Sequence, residues 1–188
     1  GVLYTHRSNV LHTLGSITKD AMGVGSEDVA LPVVPMYHAN AWGLPYSCAA
    51  VGAKMVMGGP HFDAPTLHKL LMKEGVTFTA AVPTIWLGML QHLEETGTDL
   101  GALKRVVIGG SAAPRSMIVD FKEKYGVDVI HAWGMTEMSP LGTVGSLSAE
   151  AAKLSQEEQY DLKTKQGRAI FGVELKVTDD AGATLPRD

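Results

Sequence analysis

A single cysteine, Cys48, leaves the 188-residue chain without any intrachain disulfide. A reducing compartment is the simple reading of that scarcity. Cys48 stands in the apolar stretch 47–51, which marks it as a packed core residue rather than a reactive thiol. Long apolar runs are missing as well. None approaches the roughly 20 residues that a membrane-spanning helix requires, and the first residues lack the pattern of a secretory signal. A cytoplasmic protein without a transmembrane segment is the expectation. Charge of one sign is also scarce. Sixteen Lys and Arg against 20 Asp and Glu leave a net −4, which gives no electrostatic reason to expect nucleic acid or an anionic membrane as partner. No histidine pairs with cysteine at ligand spacing, so a zinc site is not expected.

What the chain does have is ordinary core-forming material. With 45% hydrophobic and 19% charged residues, it suits one globular domain or a large piece of one. Apolar runs rich in β-formers alternate with amphipathic ones. Strands are predicted over 29–35, 54–57, 76–82, 105–108 and 127–130. Helices are predicted over 9–18 behind Ser8, over 41–51, from Asp63 through Lys73 with Gly75 as stop, over 83–95 with Gly97 beyond, and over 115–125 between Pro114 and Gly126. Short continuous apolar strands separated by helices predict an α/β fold, with a mainly parallel sheet covered by helices on both faces. Residues 1–145 form that α/β part. Residues 146–165 are polar and read as a surface segment or a short helix. Residues 172–178 alternate as an antiparallel strand, and 179–182 form a turn, so 146–188 is expected to end in the start of a small β-subdomain.

In doubly wound sheets ligands bind outside the carboxyl ends of the strands. That puts four segments on one rim: 35–42, 82–86, 109–114 and 131–140. The last is the sharpest. His131-Ala132-Trp133-Gly134-Met135-Thr136-Glu137 combines an aromatic ring able to stack on a purine and a glycine that admits close backbone approach. It adds a hydroxyl for a phosphate oxygen and a hard carboxylate of the kind Mg²⁺ prefers. The same residues equally describe a strand ending in a polar turn, with Glu137 in the first turn of a helix. His38 and Trp42 would share one face if their segment is helical. They also read as a structural histidine beside a core tryptophan. His12, His68 and His92 fall on helical runs as solvated or half-buried side chains, and His61 on a loop.

Trp133-Gly134-Met135-Thr136-Glu137 resembles the Tyr-Gly-x-Thr-Glu motif of the adenylate-forming superfamily of acyl-CoA synthetases, luciferases and peptide-synthetase adenylation domains. Val107-Ile108-Gly109-Gly110-Ser111-Ala112-Ala113-Pro114 resembles its loop bordering adenosine. Pro35-Met36-Tyr37-His38-Ala39-Asn40-Ala41-Trp42-Gly43-Leu44-Pro45 is similar to fatty acyl-CoA synthetases, and Gly167-Arg168-Ala169 and Gly172-Val173-Glu174 loosely match a later glycine-rich segment. The resemblance spans the chain and is nearest to medium- and long-chain acyl-CoA ligases, including the methylmercaptopropionate type. It implies ATP, Mg²⁺ and coenzyme A as reactants of the parent enzyme, a carboxylic acid as substrate, and room for a homodimer. It implies adenosine beside Gly109, Gly110, Ser111, Ala112, Ala113, Ala132, Trp133 and Gly134, phosphate at Thr136 and metal at Glu137. Thr136, Glu137 and His38 would then serve catalysis, while His38, Trp42, Val82, Pro83 and Gly109 border the acyl group, Trp42 as an aromatic gate.

Two positions depart from the motif. Trp133 replaces the usual tyrosine, keeping stacking but losing a phenolic hydroxyl. His131 stands where many relatives have glutamine and retains a ring nitrogen for adenine. The resemblance also implies that the phosphate-cradling Ser/Thr/Gly loop precedes Gly1, and that the ribose-binding Asp and the mobile C-terminal domain with its Lys follow Asp188. The isolated fragment is then expected to be inactive. Two other classes remain open at this level: an adenylation domain loading a carrier protein, and a non-enzymatic α/β ligand-binding domain.

Overall fold

The computed structural model describes residues 1–186. Its helices are α1 (His6–Ser16), α2 (Ala39–Trp42), α3 (Leu44–Val51), α4 (Ala64–Glu74), α5 (Pro83–Thr96), α6 (Arg115–Tyr125) and α7 (Gln156–Lys163). Its strands are β1 (Val29–Pro32), β2 (Lys54–Met55), β3 (Phe78–Ala81), β4 (Arg105–Ile108), β5 (Asp128–Gly134), β6 (Leu141–Val144) and β7 (Arg168–Ala169). They form one sheet in the order β2-β1-β3-β4-β5-β6-β7. The first five strands are mutually parallel, as the apolar runs require, and β5-β6-β7 pair antiparallel.

Two apolar layers sandwich the sheet. On one face, Leu67 and Leu71 of α4, Trp86, Met89 and Leu93 of α5, Met117 and Phe121 of α6, and Tyr160 of α7 form one apolar cluster with Val106 and Ile108 of β4. On the other, Met22, Leu44 and the buried Cys48 pack against Ala30, Phe78, Ala80 and Val107. Alternation within β4 sends Val106 and Ile108 to one layer and Val107 to the other, so both faces of the strand are apolar. Burial pushes the Cys48 thiol up to about 11, in keeping with a packing role.

Local signals set several boundaries. Asp63 caps α4 by accepting from the Thr66 N–H at 2.9 Å, and Gly75 closes it in the left-handed conformation. β4 and α6 coincide with their predicted ranges. Elsewhere the structure corrects the sequence reading. The N-cap of α1 is Thr5, whose hydroxyl accepts from the Ser8 N–H at 3.0 Å, so the helix begins and ends earlier than 9–18. Within 146–165 the short-helix alternative holds, α7 forming behind a reciprocal Ser155–Glu158 capping box. Among the described residues, 172–178 form no regular strand: one bridge, Thr178 to Thr184, flanks the predicted turn, where the Gly182 N–H donates to the Asp179 carbonyl at 3.0 Å. Only Val173 of this segment reaches the core and residues 174–178 are exposed, which explains the difference, since alternation stabilises a strand only where one face is buried.

Candidate functional site

Strand order reverses between β1 and β3, because the chain steps outward from β1 to β2 and returns past β1 to β3. A cleft of about 350 Å³ opens at the carboxyl ends of the strands beside that reversal, the position where open α/β sheets place ligands. After β1 it is lined by His38, Ala39 and Trp42; after β4 by Gly109 and Gly110; and along the end of β5 by residues 132–137. Three of the four predicted rim segments therefore meet in one cleft. Met22, Pro140 and Leu141 complete the lining.

The segment carrying His38 and Trp42 is not the right-handed helix that an i, i+4 pair presupposes. Ala39, Asn40, Ala41 and Trp42 have φ of 46, 53, 50 and 56°, and Gly43 follows at 77°. Four successive non-glycine residues in the left-handed region cost roughly 1–2 kcal/mol each, so the surroundings must hold them there. One consequence is that Trp42 turns inward. A Cβ on Gly109 would lie 3.2 Å from Trp42 Cη2 and 3.0 Å from the Ala132 carbonyl oxygen. Glycine at 109 thus lets the indole ring and the β5 backbone close on the same point. His38, by contrast, is exposed.

Residues 131–134, predicted to lie in a loop, are the end of β5, with a register shift between Trp133 and Gly134 where β6 pairs. The antiparallel partner explains the extra length: β6 supplies a ladder that no sequence run announced. Gly134 is obligatory here, since a Cβ would stand 2.2 Å from the Pro140 carbonyl oxygen. Trp133 lies across Gly142, whose missing Cβ would meet Trp133 Cζ3 at 2.7 Å. Beyond the bulge, Thr136–Met138 makes one 3₁₀ turn and the Ser139-Pro140 peptide is cis. Thr136 and Glu137 are exposed at the cleft mouth. The Tyr4 hydroxyl donates to the Thr136 carbonyl at 2.6 Å. Burial, and secondarily the Glu137 carboxylate, raise the Tyr4 pKa and keep that donor protonated.

Other predicted site residues stand outside the lining. His131 is buried behind the 109–113 loop, where its Nε2 accepts the Ala113 N–H at 3.3 Å while Nδ1 has no partner. It supports the loop from within rather than facing the cleft. Ser111 and Ala112 are exposed and Ala113 is buried, none of them in the lining. Val82 reaches the site only through Gly110, whose added Cβ would meet it at 3.1 Å, and Pro83 opens α5 behind it. The sequence reading placed Pro140 at the end of its fourth rim segment but missed Tyr4, Met22 and Leu141. It also placed His12 as solvated or half-buried, whereas His12 is only 7% exposed.

Comparison with known proteins agrees with this architecture. A family model described as AMP-binding enzyme matches residues 1–188. The chain is 55% identical over 188 residues to the 3-methylmercaptopropionyl-CoA ligase of Ruegeria lacuscaerulensis, covering all of this chain and 35% of that protein. It is 48% identical to the long-chain-fatty-acid–CoA ligase of Thermus thermophilus, again over all of this chain and 35% of the relative. Among solved structures, a Mycobacterium tuberculosis fatty acyl CoA synthetase superposes with a TM-score of 0.81 at 26% identity, over 98% of this chain and 34% of that one. The chain thus spans about a third of the length of these relatives. By the match along its whole length, the chain belongs to the AMP-binding enzyme family.

Proposed function

We propose that the parent protein is an ATP-dependent acyl-CoA synthetase and that this chain forms the shared wall of its nucleotide and acyl pockets. The observation that carries the reading is the meeting of Trp42 with Gly109, Gly110 and residues 132–137 around one cleft. An apolar aromatic bounds one side, while a hydroxyl and a carboxylate stand at the other. That polarity suits a ligand with a hydrocarbon end and a phosphorylated end.

In the proposed reaction a carboxylate oxygen attacks the α-phosphorus of ATP, forming acyl-adenylate and releasing pyrophosphate. The coenzyme A thiol then attacks the acyl carbon, forming the thioester and releasing AMP. Gly109, Gly110 and Trp133 bound the adenosine, Thr136 donates its hydroxyl to a phosphate oxygen, and His38 and Trp42 border the acyl group. The donor set for Mg²⁺ is a single solvent-facing carboxylate, Glu137, beside the Thr136 hydroxyl. Such a set fits an ion that arrives with the nucleotide, because Mg²⁺ takes one or two carboxylates plus substrate phosphates and keeps several waters. Bound there, the ion would offset phosphate charge.

The test uses the full-length parent with ATP, coenzyme A and straight-chain carboxylic acids of increasing length. Acyl-adenylate and then thioester should appear, with a length optimum that moves when Trp42 is replaced by Ala. Absence of pyrophosphate release with every acid would refute the reading, and transfer to a carrier protein but not to free coenzyme A would correct its second half.

A further inference from the structure

His12 has no part in the chemistry above, yet it touches both sides of the cleft from behind. It projects from α1, buried at 7% exposure. Its Nε2 accepts the Leu141 N–H at 3.2 Å, across 129 residues of chain. The other edge of the ring lies against Gly43: a Cβ added there would stand 2.6 Å from Cε1 and 2.9 Å from Nδ1 of His12. Gly43 directly follows Trp42 and closes the left-handed turn, its N–H donating to the Asn40 carbonyl at 3.0 Å. Leu141 opens β6 opposite Gly134, which leads into Thr136 and Glu137. One imidazole is therefore wedged between the backbone that carries Trp42 and the backbone that carries the carboxylate side.

We propose that His12 is a positioning residue, which ties the end of the left-handed Ala39–Trp42 turn to the start of β6 and so sets the span between Trp42 and Glu137 across the cleft. A strained turn persists only where its surroundings over-determine it. The imidazole supplies that constraint in two ways. It fills the space that Gly43 leaves open, and it fixes the height of the turn through a hydrogen bond to a strand already locked into the sheet. Burial lowers the His12 pKa to about 4, so the ring is neutral near pH 7 and its Nε2 lone pair remains available to Leu141. No acyl-group or nucleotide atom needs to touch His12. Its effect passes through Trp42.

The rates that His12 is expected to move rest on the acyl-adenylate reading; the geometry does not. Both are tested in the full-length parent with H12L, which fills similar space without an acceptor, and H12Q, whose amide oxygen can replace Nε2. In ligand-free protein, H12L should change the near-ultraviolet circular dichroism, and the change should vanish in a W42F background. In pyrophosphate exchange, H12L should raise KM for the carboxylic acid on the order of tenfold, the scale of a sub-ångström misplacement, while KM for ATP moves less. H12Q should recover most of both.

A lowered Tm with unchanged ellipticity and unchanged KM per folded enzyme would overturn the proposal. Should H12L not fold, H12M takes its place, and failure of both to fold would make His12 structural and overturn it equally. If the wild-type parent forms no acyl-adenylate, the functional reading falls, while the Trp42-dependent ellipticity still decides the role of His12.

Discussion

At the amino ends of β1, β3 and β4, the Asp28 carboxylate accepts from the Gly25 N–H at 2.9 Å, Thr77 Oγ1 at 2.7 Å and Arg105 Nη2 at 2.5 Å. Arg105 Nη1 donates to the Gly23 carbonyl at 2.8 Å and Thr77 Oγ1 accepts the Val29 N–H at 3.0 Å. Both Asp28 oxygens have donors, and the aspartate side chain is 2% exposed. At the carboxyl ends of the same sheet the backbone runs left-handed through Ala39–Trp42, glycines stand where any side chain would collide, and Thr136 and Glu137 face solvent. One rim holds its buried carboxylate with internal donors and leaves only Arg105 Nε without a partner. The other spends conformational energy to leave polar groups available, which is the arrangement a ligand site needs.

Loss of charge at Glu137 should separate the rims most. Glu137→Gln in the full-length parent is expected to slow acyl-adenylate formation by about two to four orders of magnitude, on the scale of removing a principal electrostatic stabiliser. Thioester formation from pre-made acyl-adenylate should suffer much less, because pyrophosphate has already left. Stopped assays of the two half-reactions on folded protein read the difference; an equal loss in both would remove Glu137 from the phosphate side of the site.

The opposite pattern is expected from Arg105→Met. It leaves Asp28 buried with an uncompensated charge, at a cost of about 3 kcal/mol, the lower end for a broken buried pair since Arg105 is partly exposed. Denaturant unfolding should show that loss, with KM for acid and ATP unchanged in the folded fraction. A change in KM would mean that the two rims are coupled through the sheet.

Acid should act on the rims in separate windows. The His12 pKa falls from 6.5 to about 4 on folding, so the unfolded chain binds the extra proton. Stability is then complete above pH 6.5 and declines as pH falls towards 4, by at most on the order of 3 kcal/mol. For Asp28, burial raises the pKa, but hydrogen bonds from Gly25, Thr77 and Arg105 outweigh it and the net shift is downward. Its contribution is present above the ordinary carboxylate pKa and is lost only as pH falls through the lower folded value. Urea midpoints across pH in wild type and H12Q distinguish the two. H12Q should flatten the slope above pH 4, and a slope that survives would place the titrating group elsewhere.

Some of this was legible from residues alone, for local reasons. β4 and α6 lie between Gly and Pro punctuation, and α4 carries its own cap and stop, so their boundaries need no distant partner. Trp133, Gly134, Thr136 and Glu137 stood out because an aromatic, a glycine, a hydroxyl and a carboxylate seldom crowd five positions. The left-handed turn at Ala39–Trp42 was not foreseen, the helix being placed from Ala41 on, because a lone Asn among Ala and Trp is a weak local signal for four positive φ values. β6 was missed because its ladder exists only once β5 offers an edge to pair with.

The sequence by itself determined the alternation of strand and helix, the parallel sheet that follows from it, and the residue types at the carboxyl rim. Periodicity and caps act over a few residues, and those are the distances a sequence displays. Tertiary structure alone decided that Trp42 leans on Gly109, that Tyr4 reaches Thr136, and that His12 joins Gly43 to Leu141. Each of those contacts joins segments far apart in the chain. Their energies come from close approach and hydrogen bonding in space, and no spacing along the chain encodes them.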